Sequence, residues 1–93
     1  MYANENLPIV RTPVTVPTLQ AMKDRGERIA TLTAYDASFA RAMDAAGIDA
    51  VLVGDSLGMV IQGAGNTVSV SVDDMIYHSR SVANGLQSAL LIA

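Results

Sequence analysis

The distribution of hydrophobic and polar positions along the chain predicts three short strands, the first two of which end at polar residues. Residues 28–34 are rich in Thr and Ile, which favour extended structure. Residues 49–53 contain an apolar run with two valines, which predicts a strand buried on both faces. The last run, 89–93, is equally apolar and predicts a third strand. Strands of this kind are typical of parallel sheets.

Apolar residues at helical spacing predict three helices that alternate with these strands. The first begins near residues 17–18, and the second covers 37–46 with Asp36 as its N-cap. The third covers 71–86 and is the most amphipathic, with a capping box at its start. Its expected apolar stripe comprises Val72, Met75, Ile76, Ser79, Val82, Ala83 and Leu86. Strand–helix–strand order indicates an α/β fold, and such repeats either close into a (β/α)8 barrel or open into a doubly wound sheet.

Two segments lack the hydrophobic periodicity of a helix or a strand. Residues 1–16 contain two prolines and predict an extended N-terminal arm, so the domain is expected over 17–93. The connection 56–70 contains three glycines and predicts irregular structure, with a short extended piece at 67–70. Connections of this length inside compact domains are usually functional segments or lids.

Composition narrows the classes of function. The 93 residues are 51% hydrophobic and only 16% charged, which suits a piece whose faces are covered by more protein. A net charge of −3 without a basic cluster argues against nucleic-acid binding. The absence of cysteine excludes thiolate metal sites, and no apolar run is long enough to span a membrane. We therefore expect a cytoplasmic protein without nucleic-acid or membrane partners, and the N-terminus shows no signal-peptide pattern.

Candidate chemistry lies where the predicted strands end. Asp55 and Ser56 follow the second strand, as Tyr35 and Asp36 follow the first. Because the carboxyl ends of neighbouring parallel strands meet at one edge, we expect the two pairs to lie side by side. A carboxylate with a hydroxyl beside it can bind a hard cation such as Mg²⁺ or orient a polar substrate. Capping roles compete, because Asp55 can cap a turn, Ser56 can cap a helix, and Asp36 fits a helix cap best.

Several other features favour structural roles. Residues 63–65 (GAG) lack the strand, helix and lysine of a phosphate-binding loop. His78 falls beside the apolar stripe of the third helix and is predicted to be an exposed or edge histidine in a hydrogen bond. A zinc site is disfavoured, because no Glu or second His stands at the spacing of a zinc motif. Tyr77 is predicted to be a packing residue with a hydrogen-bonded hydroxyl and not a catalytic acid. The methionines predicted to fill the core are Met43, Met59 and Met75.

Four stretches resemble a known family. Residues 31–36 (TLTAYD), residues 53–59 (VGDSLGM), the pair Tyr77 and His78, and residues 90–93 (LLIA) look like the N-terminal part of ketopantoate hydroxymethyltransferase (3-methyl-2-oxobutanoate hydroxymethyltransferase). The resemblance covers about 18–93, and the order and spacing of the motifs match as well as the motifs themselves.

The resemblance implies a (β/α)8 TIM barrel with a plug helix at its N-terminal end, assembled into a homodecamer. It implies transfer of a hydroxymethyl group from 5,10-methylenetetrahydrofolate to 3-methyl-2-oxobutanoate. The product would be ketopantoate, used in pantothenate and coenzyme A biosynthesis. On this basis the chain is expected to supply about three strands of the barrel and to be truncated after the third.

The resemblance also assigns roles to residues. Asp55 matches a Mg²⁺-binding Asp at the substrate site, and Ser56 matches a substrate-binding Ser. A strand-three Asp, a Lys, a metal-associated Glu and the general-base Glu are expected beyond residue 93, so the chain alone is expected to be inactive. Two alternatives stay open. One is another Mg²⁺-dependent 2-oxo acid barrel of the phosphoenolpyruvate mutase and isocitrate lyase group, and the other is a non-catalytic βαβ assembly module.

Overall fold

A computed structural model describes residues 11–93, in which four helices alternate with three strands. The predicted strands and the three predicted helices are all present, and each strand is shorter than its apolar run. One further short helix, α3, was not predicted. The elements in chain order are α1 (Val16–Asp24), β1 (Thr31–Thr33), α2 (Ala37–Ala45), β2 (Ala50–Leu52), α3 (Leu57–Val60), α4 (Val72–Gly85) and β3 (Leu90–Ile92).

The three strands form one parallel sheet in the order β1-β2-β3. The register places Thr33 beside Leu52 and Leu52 beside Ile92. Each pair of neighbouring strands is joined by a helical crossover, which is the connection that parallel pairing requires. The predicted α/β class is confirmed, and the arrangement is consistent with the N-terminal part of a (β/α)8 barrel.

The core lies between one face of the sheet and helices α2 and α4. Val51 and Val53 of the central strand region are fully buried there, together with Ala40 of α2 and Val82 of α4. Side chains alternate between the two faces of a strand, so Leu52 points to the opposite face, where it is 38% exposed. In a (β/α)8 barrel that opposite face lines the interior.

Gly85 sets how closely α4 packs against α2. A Cβ atom at this position would overlap the carbonyl oxygen of Ala37 and lie 3.0 Å from the Cβ of Ala40. Only a glycine lets the two helix backbones approach this closely, and Gly85 itself is buried. The contact turns the face of α4 that carries Gly85 toward the core.

The buried stripe of α4 therefore differs from the predicted one. Val72 and Ile76, which the hydrophobic pattern places in the stripe, are 75% and 48% exposed. His78 is half-buried and lies between Met75 and Val82 on the face that meets the core. The prediction that His78 lies beside the stripe is wrong, because the close approach at Gly85 places its own face inward.

Residues 11–14 cross the N-terminal end of the sheet. The backbone N–H of Val14 donates to the carbonyl of Ser88 at 2.7 Å, and the Arg11 guanidinium donates to the carbonyl of Ile48 at 2.5 Å. Helix α1 begins at Val16 with Thr15 as its N-cap, slightly earlier than predicted. The start of α1 thus lies at the end of the sheet opposite Asp55, and the part of the predicted arm before residue 11 falls outside the described residues.

The carboxylate of Asp44 fixes the connection that leads from α4 into β3. It accepts backbone N–H bonds from Gln87, Ser88 and Ala89 at 3.1, 3.0 and 2.7 Å, and it lies 3.7 Å from the Arg11 guanidinium. Partial burial alone raises the pKa of this carboxyl, but the three N–H donors and the charge of Arg11 outweigh it and lower the pKa below its usual value.

Asp44→Asn is expected to destabilise a full-length protein that contains residues 11–93 by about 2 kcal/mol at pH 7. The melting midpoint should fall by about 4–8 °C. The pKa of Asp44 is lower in the folded protein than in the unfolded chain, where it is about 3.9. The ionised Asp44 therefore contributes its full share of folding stability above the unfolded pKa, and this share is lost as the pH falls through the folded-state pKa. Melting curves of both proteins between about pH 3 and 8 should therefore converge at the acidic end.

The control for this variant is Asp24→Asn, which changes an exposed carboxylate whose hydrogen-bond partner is the nearby Gln20 side chain. We expect a change within about 0.5 kcal/mol for this control. An Asp44→Asn curve that stays parallel to the wild-type curve down to about pH 3 would contradict the assigned role of the charge.

Candidate functional site

The polar residues that follow β1 and β2 meet at the C-terminal edge of the sheet. The backbone N–H of Ala34 continues the ladder onto Leu52 at 3.1 Å, which brings the next residues of both strands together. The hydroxyl of Tyr35 then lies 2.6 Å from the Oγ of Ser56. The prediction that the two strand ends lie side by side is confirmed.

Ser56 uses its side chain for this contact and not for capping. It is the N-cap residue of α3 by position, but its side chain makes no capping hydrogen bond. Its backbone carbonyl instead accepts from the N–H groups of Met59 and Val60, both at 3.0 Å. The helix-cap alternative for the Ser56 side chain is therefore wrong, and the hydroxyl stays at the edge of the sheet.

Asp55 lies in the turn between β2 and α3 with an exposed side chain. Its backbone carbonyl accepts from the N–H of Gly58 at 3.0 Å, so its main chain is fixed. Within residues 11–93 its carboxylate makes neither a hydrogen bond nor an ion pair. The Asp55 side chain therefore does not cap the turn, as one of the alternatives had it. The carboxylate is therefore available to a ligand.

Asp36 has the capping role that the sequence favours for it. Its carboxylate accepts from the backbone N–H of Phe39 at 2.8 Å at the start of α2. The helix-cap prediction is confirmed. The two acids that follow the strands therefore differ in role, because Asp36 caps α2 and the Asp55 side chain is exposed to solvent.

Short helix α3 fastens the turn that carries Asp55 and Ser56. Leu57 is fully buried, and Gly58 packs so closely that a Cβ there would lie 2.5 Å from the Cγ2 of Val70. Residues 67–70 form a turn in place of the predicted extended piece, with the Val70 N–H donating to the Thr67 carbonyl at 3.2 Å. The segment predicted as irregular thus begins with an ordered anchor for the site.

His78 reaches the site from α4. Its Nδ1 lies 2.8 Å from the backbone carbonyl of Tyr35, and because a carbonyl only accepts, Nδ1 must carry the proton. The prediction of a hydrogen-bonded histidine is confirmed. The neighbouring Tyr77 is 65% exposed and meets the His78 ring edge-on at 5.3 Å, so it packs against His78 at the surface.

An apolar cavity of about 300 Å³ adjoins these residues. Tyr35 and Asp36 are among its lining residues, together with the apolar side chains of Phe39, Met43, Val60 and Ile61. Phe39 is 65% exposed, although its spacing predicts a buried position on α2. Two of the three methionines predicted to fill the core, Met43 and Met75, pack against the hydrophobic core. The third, Met59, is 49% exposed and does not fill the core.

The residues at this edge of the sheet can supply part of the ligand shell of a magnesium ion. Among the described residues no group of three or more His, Cys, Asp or Glu side chains lies close enough to hold a metal. Mg²⁺ is commonly bound through one or two carboxylates, with waters and substrate oxygens completing the shell. Asp55 provides one such exposed carboxylate. It fits the role of one protein ligand to Mg²⁺, with the substrate completing the ligand shell.

Comparisons with known proteins decide the family. Residues 13–93 match the model of the family described as ketopantoate hydroxymethyltransferase. The chain belongs to this family. The resemblance found in the sequence is thereby confirmed over nearly all of the described residues.

Relatives with curated names agree with this assignment. The chain is 63% identical over 75 residues to the 3-methyl-2-oxobutanoate hydroxymethyltransferase of Methylobacillus flagellatus, covering 81% of this chain and 29% of the relative. It is 56% identical over 85 residues to that of Leptothrix cholodnii, with 89% and 29% covered. For Thiobacillus denitrificans the values are 58% over 81 residues, with 87% and 31% covered. The chain thus spans about 30% of the length of these relatives.

The described residues also bear on membrane association. None of the helices found between residues 11 and 93 has the length and apolar character needed to cross a membrane.

Proposed function

We propose that the complete enzyme containing this chain transfers a hydroxymethyl group from 5,10-methylenetetrahydrofolate to 3-methyl-2-oxobutanoate and so makes ketopantoate for pantothenate and coenzyme A synthesis. The observation that carries the proposal is the pairing of an exposed Asp55 carboxylate with the Ser56 hydroxyl at the C-terminal edge of the sheet. This edge is where enzymes with parallel α/β barrels bind their substrates.

The chemistry gives these two side chains distinct tasks. The C3–H of the 2-oxo acid is a very weak acid, so negative charge must be stabilised on the keto oxygen as the proton leaves. Mg²⁺, when bound, would supply the positive charge for this step. Asp55 would hold the ion at the strand end, and the Ser56 hydroxyl would donate a hydrogen bond to the substrate carboxylate and orient it. The general base is predicted to be a Glu beyond residue 93.

The family supports this reaction above the two alternatives left open by the sequence. The relatives bear the name of a hydroxymethyltransferase, whereas mutase and lyase chemistry on 2-oxo acids needs no folate. A non-catalytic assembly module is disfavoured because the curated relatives carry the name of an enzyme. The cytoplasmic location, the homodecamer and the folate contacts stay predictions.

The test uses a chimeric enzyme in which residues 13–93 replace the matching segment of the Methylobacillus flagellatus relative. We expect ketopantoate formation that requires both Mg²⁺ and methylenetetrahydrofolate. Turnover of 2-oxo acids by cleavage or rearrangement without folate would favour the mutase and lyase group. A folded chimera without any turnover, beside an active unmodified relative, would favour the assembly module.

A further inference from the structure

Tyr35 joins three elements of the fold through two hydrogen bonds. Its hydroxyl lies 2.6 Å from the Oγ of Ser56, in the turn after β2. Its backbone carbonyl accepts from the Nδ1–H of His78, in the middle of α4, at 2.8 Å. Tyr35 itself follows β1. The backbone of Tyr35 is therefore held by α4, while its phenol reaches the proposed substrate site.

The chemistry of the two hydroxyls sets the direction of the short contact. A phenol is a stronger hydrogen-bond donor than an aliphatic alcohol, so we assign the donated proton of this contact to Tyr35, with the Ser56 oxygen as the acceptor. The single proton of the Ser56 hydroxyl is then free to point away from Tyr35, toward a ligand above the strand ends.

We propose that Tyr35 is a positioning residue that orients the Ser56 hydroxyl toward the carboxylate of the substrate, and that His78 holds Tyr35 in place. This inference rests on the proposed function, because it assigns the orienting task to a residue behind the substrate-binding serine. It adds one residue that follows β1 and one residue of α4 to a site otherwise confined to the turn after β2.

The surroundings of these residues favour a positioning role over simple packing. Ser56 is half-buried and has no capping bond, so without Tyr35 its hydroxyl would have no protein partner among the described residues. His78 is half-buried on the face of α4 that also carries Met75 and Val82, and its ring is held by the bond to the Tyr35 carbonyl and by the edge-on contact with Tyr77. A phenylalanine at position 35 would fill the same space and keep the backbone bond to His78. Only the hydrogen bond to Ser56 would be lost.

The decisive variant is Tyr35→Phe in the chimeric enzyme. We expect the KM for 3-methyl-2-oxobutanoate to rise about 3–10-fold, the value of one hydrogen bond, with kcat within about twofold and the KM for methylenetetrahydrofolate unchanged. In a Ser56→Ala background, Tyr35→Phe should have no further effect, because the group on which it acts is gone. The matched control is Tyr77→Phe, which removes an exposed hydroxyl nearby and should leave every constant unchanged.

His78 is tested by a pair of variants. His78→Ala should raise the same KM, whereas His78→Asn should restore it, because the asparagine amide can donate to the Tyr35 carbonyl from nearly the position of Nδ1. An unchanged KM in Tyr35→Phe, or additive losses with Ser56→Ala, would overturn the inference while leaving the proposed function intact. A fall in kcat alone would also overturn it. A wild-type chimera that makes no ketopantoate would overturn both.

Discussion

Asp55→Ala should abolish Mg²⁺-dependent ketopantoate formation by the chimeric enzyme, with kcat/KM reduced about a thousandfold or more. A bound metal supplies several kcal/mol of transition-state stabilisation, and each 1.4 kcal/mol lost is about tenfold in rate. The fold should be unaffected, because the Asp55 carboxylate is exposed and makes neither a hydrogen bond nor an ion pair within the described residues. Initial rates across a Mg²⁺ titration, with melting curves of the same samples, measure both effects.

Asp36→Ala is the matched control, since it removes the acid that follows the neighbouring strand. It should show the opposite pattern: loss of the α2 cap costs about 1 kcal/mol of stability, while Mg²⁺ dependence is kept. Wild-type turnover and metal affinity in Asp55→Ala would contradict the assignment of Asp55. So would a loss of Mg²⁺ dependence in Asp36→Ala equal to that of Asp55→Ala.

The 93-residue chain expressed alone should be inactive and should not fold cooperatively. Among residues 11–93 both outer strands of the β1-β2-β3 sheet have an unpaired edge, and such edges template association between chains. Leu32, Leu52 and Ile92 are 52%, 38% and 40% exposed, so apolar surface is also left open to water. We expect aggregation or a loose, partly helical ensemble.

Calorimetry, sedimentation and the ketopantoate assay test this expectation side by side with the chimeric enzyme. The chimera, in which the rest of a barrel can cover those edges, should melt sharply and turn over substrate. A sharp cooperative transition from a soluble monomer of the 93-residue chain would refute the structural part. Measurable transfer by that chain would refute the catalytic part, because the base is predicted to lie beyond residue 93.

The regular elements could be predicted because each depends on local signals. Asp36 and Ser71 satisfy backbone N–H groups three residues ahead, and Gly47 has a φ of +89°, so the ends of α2 and the start of α4 follow from side-chain chemistry near in sequence. The parallel order of strands follows from the helical crossovers. The meeting of Tyr35 and Ser56 follows in turn, because adjacent parallel strands end at one edge.

The errors about α3 and about the buried stripe of α4 have a different physical origin, since they depend on contacts between residues that are far apart in sequence. Gly85 reads locally as a helix end, but its contact with the backbone of α2 rotates α4 and carries His78 into the buried stripe. Short helix α3 is stabilised by the burial of Leu57 and by Gly58 against Val70, and its glycine lowers local helix propensity. The hydrogen bond from His78 to Tyr35 spans 43 positions and has no signal in the local pattern.

The central claim is that Asp55 anchors a metal beside a Ser56 hydroxyl that faces the substrate. A crystal structure of the chimeric enzyme with Mn²⁺ and 3-methyl-2-oxobutanoate tests it most directly, because anomalous scattering locates the ion. The account predicts a Mn²⁺ peak about 2.1 Å from an Asp55 carboxylate oxygen, with the substrate carboxylate within hydrogen-bond distance of Ser56. A fully occupied Mn²⁺ elsewhere in the barrel, with the Asp55 side chain still in solvent, would contradict it.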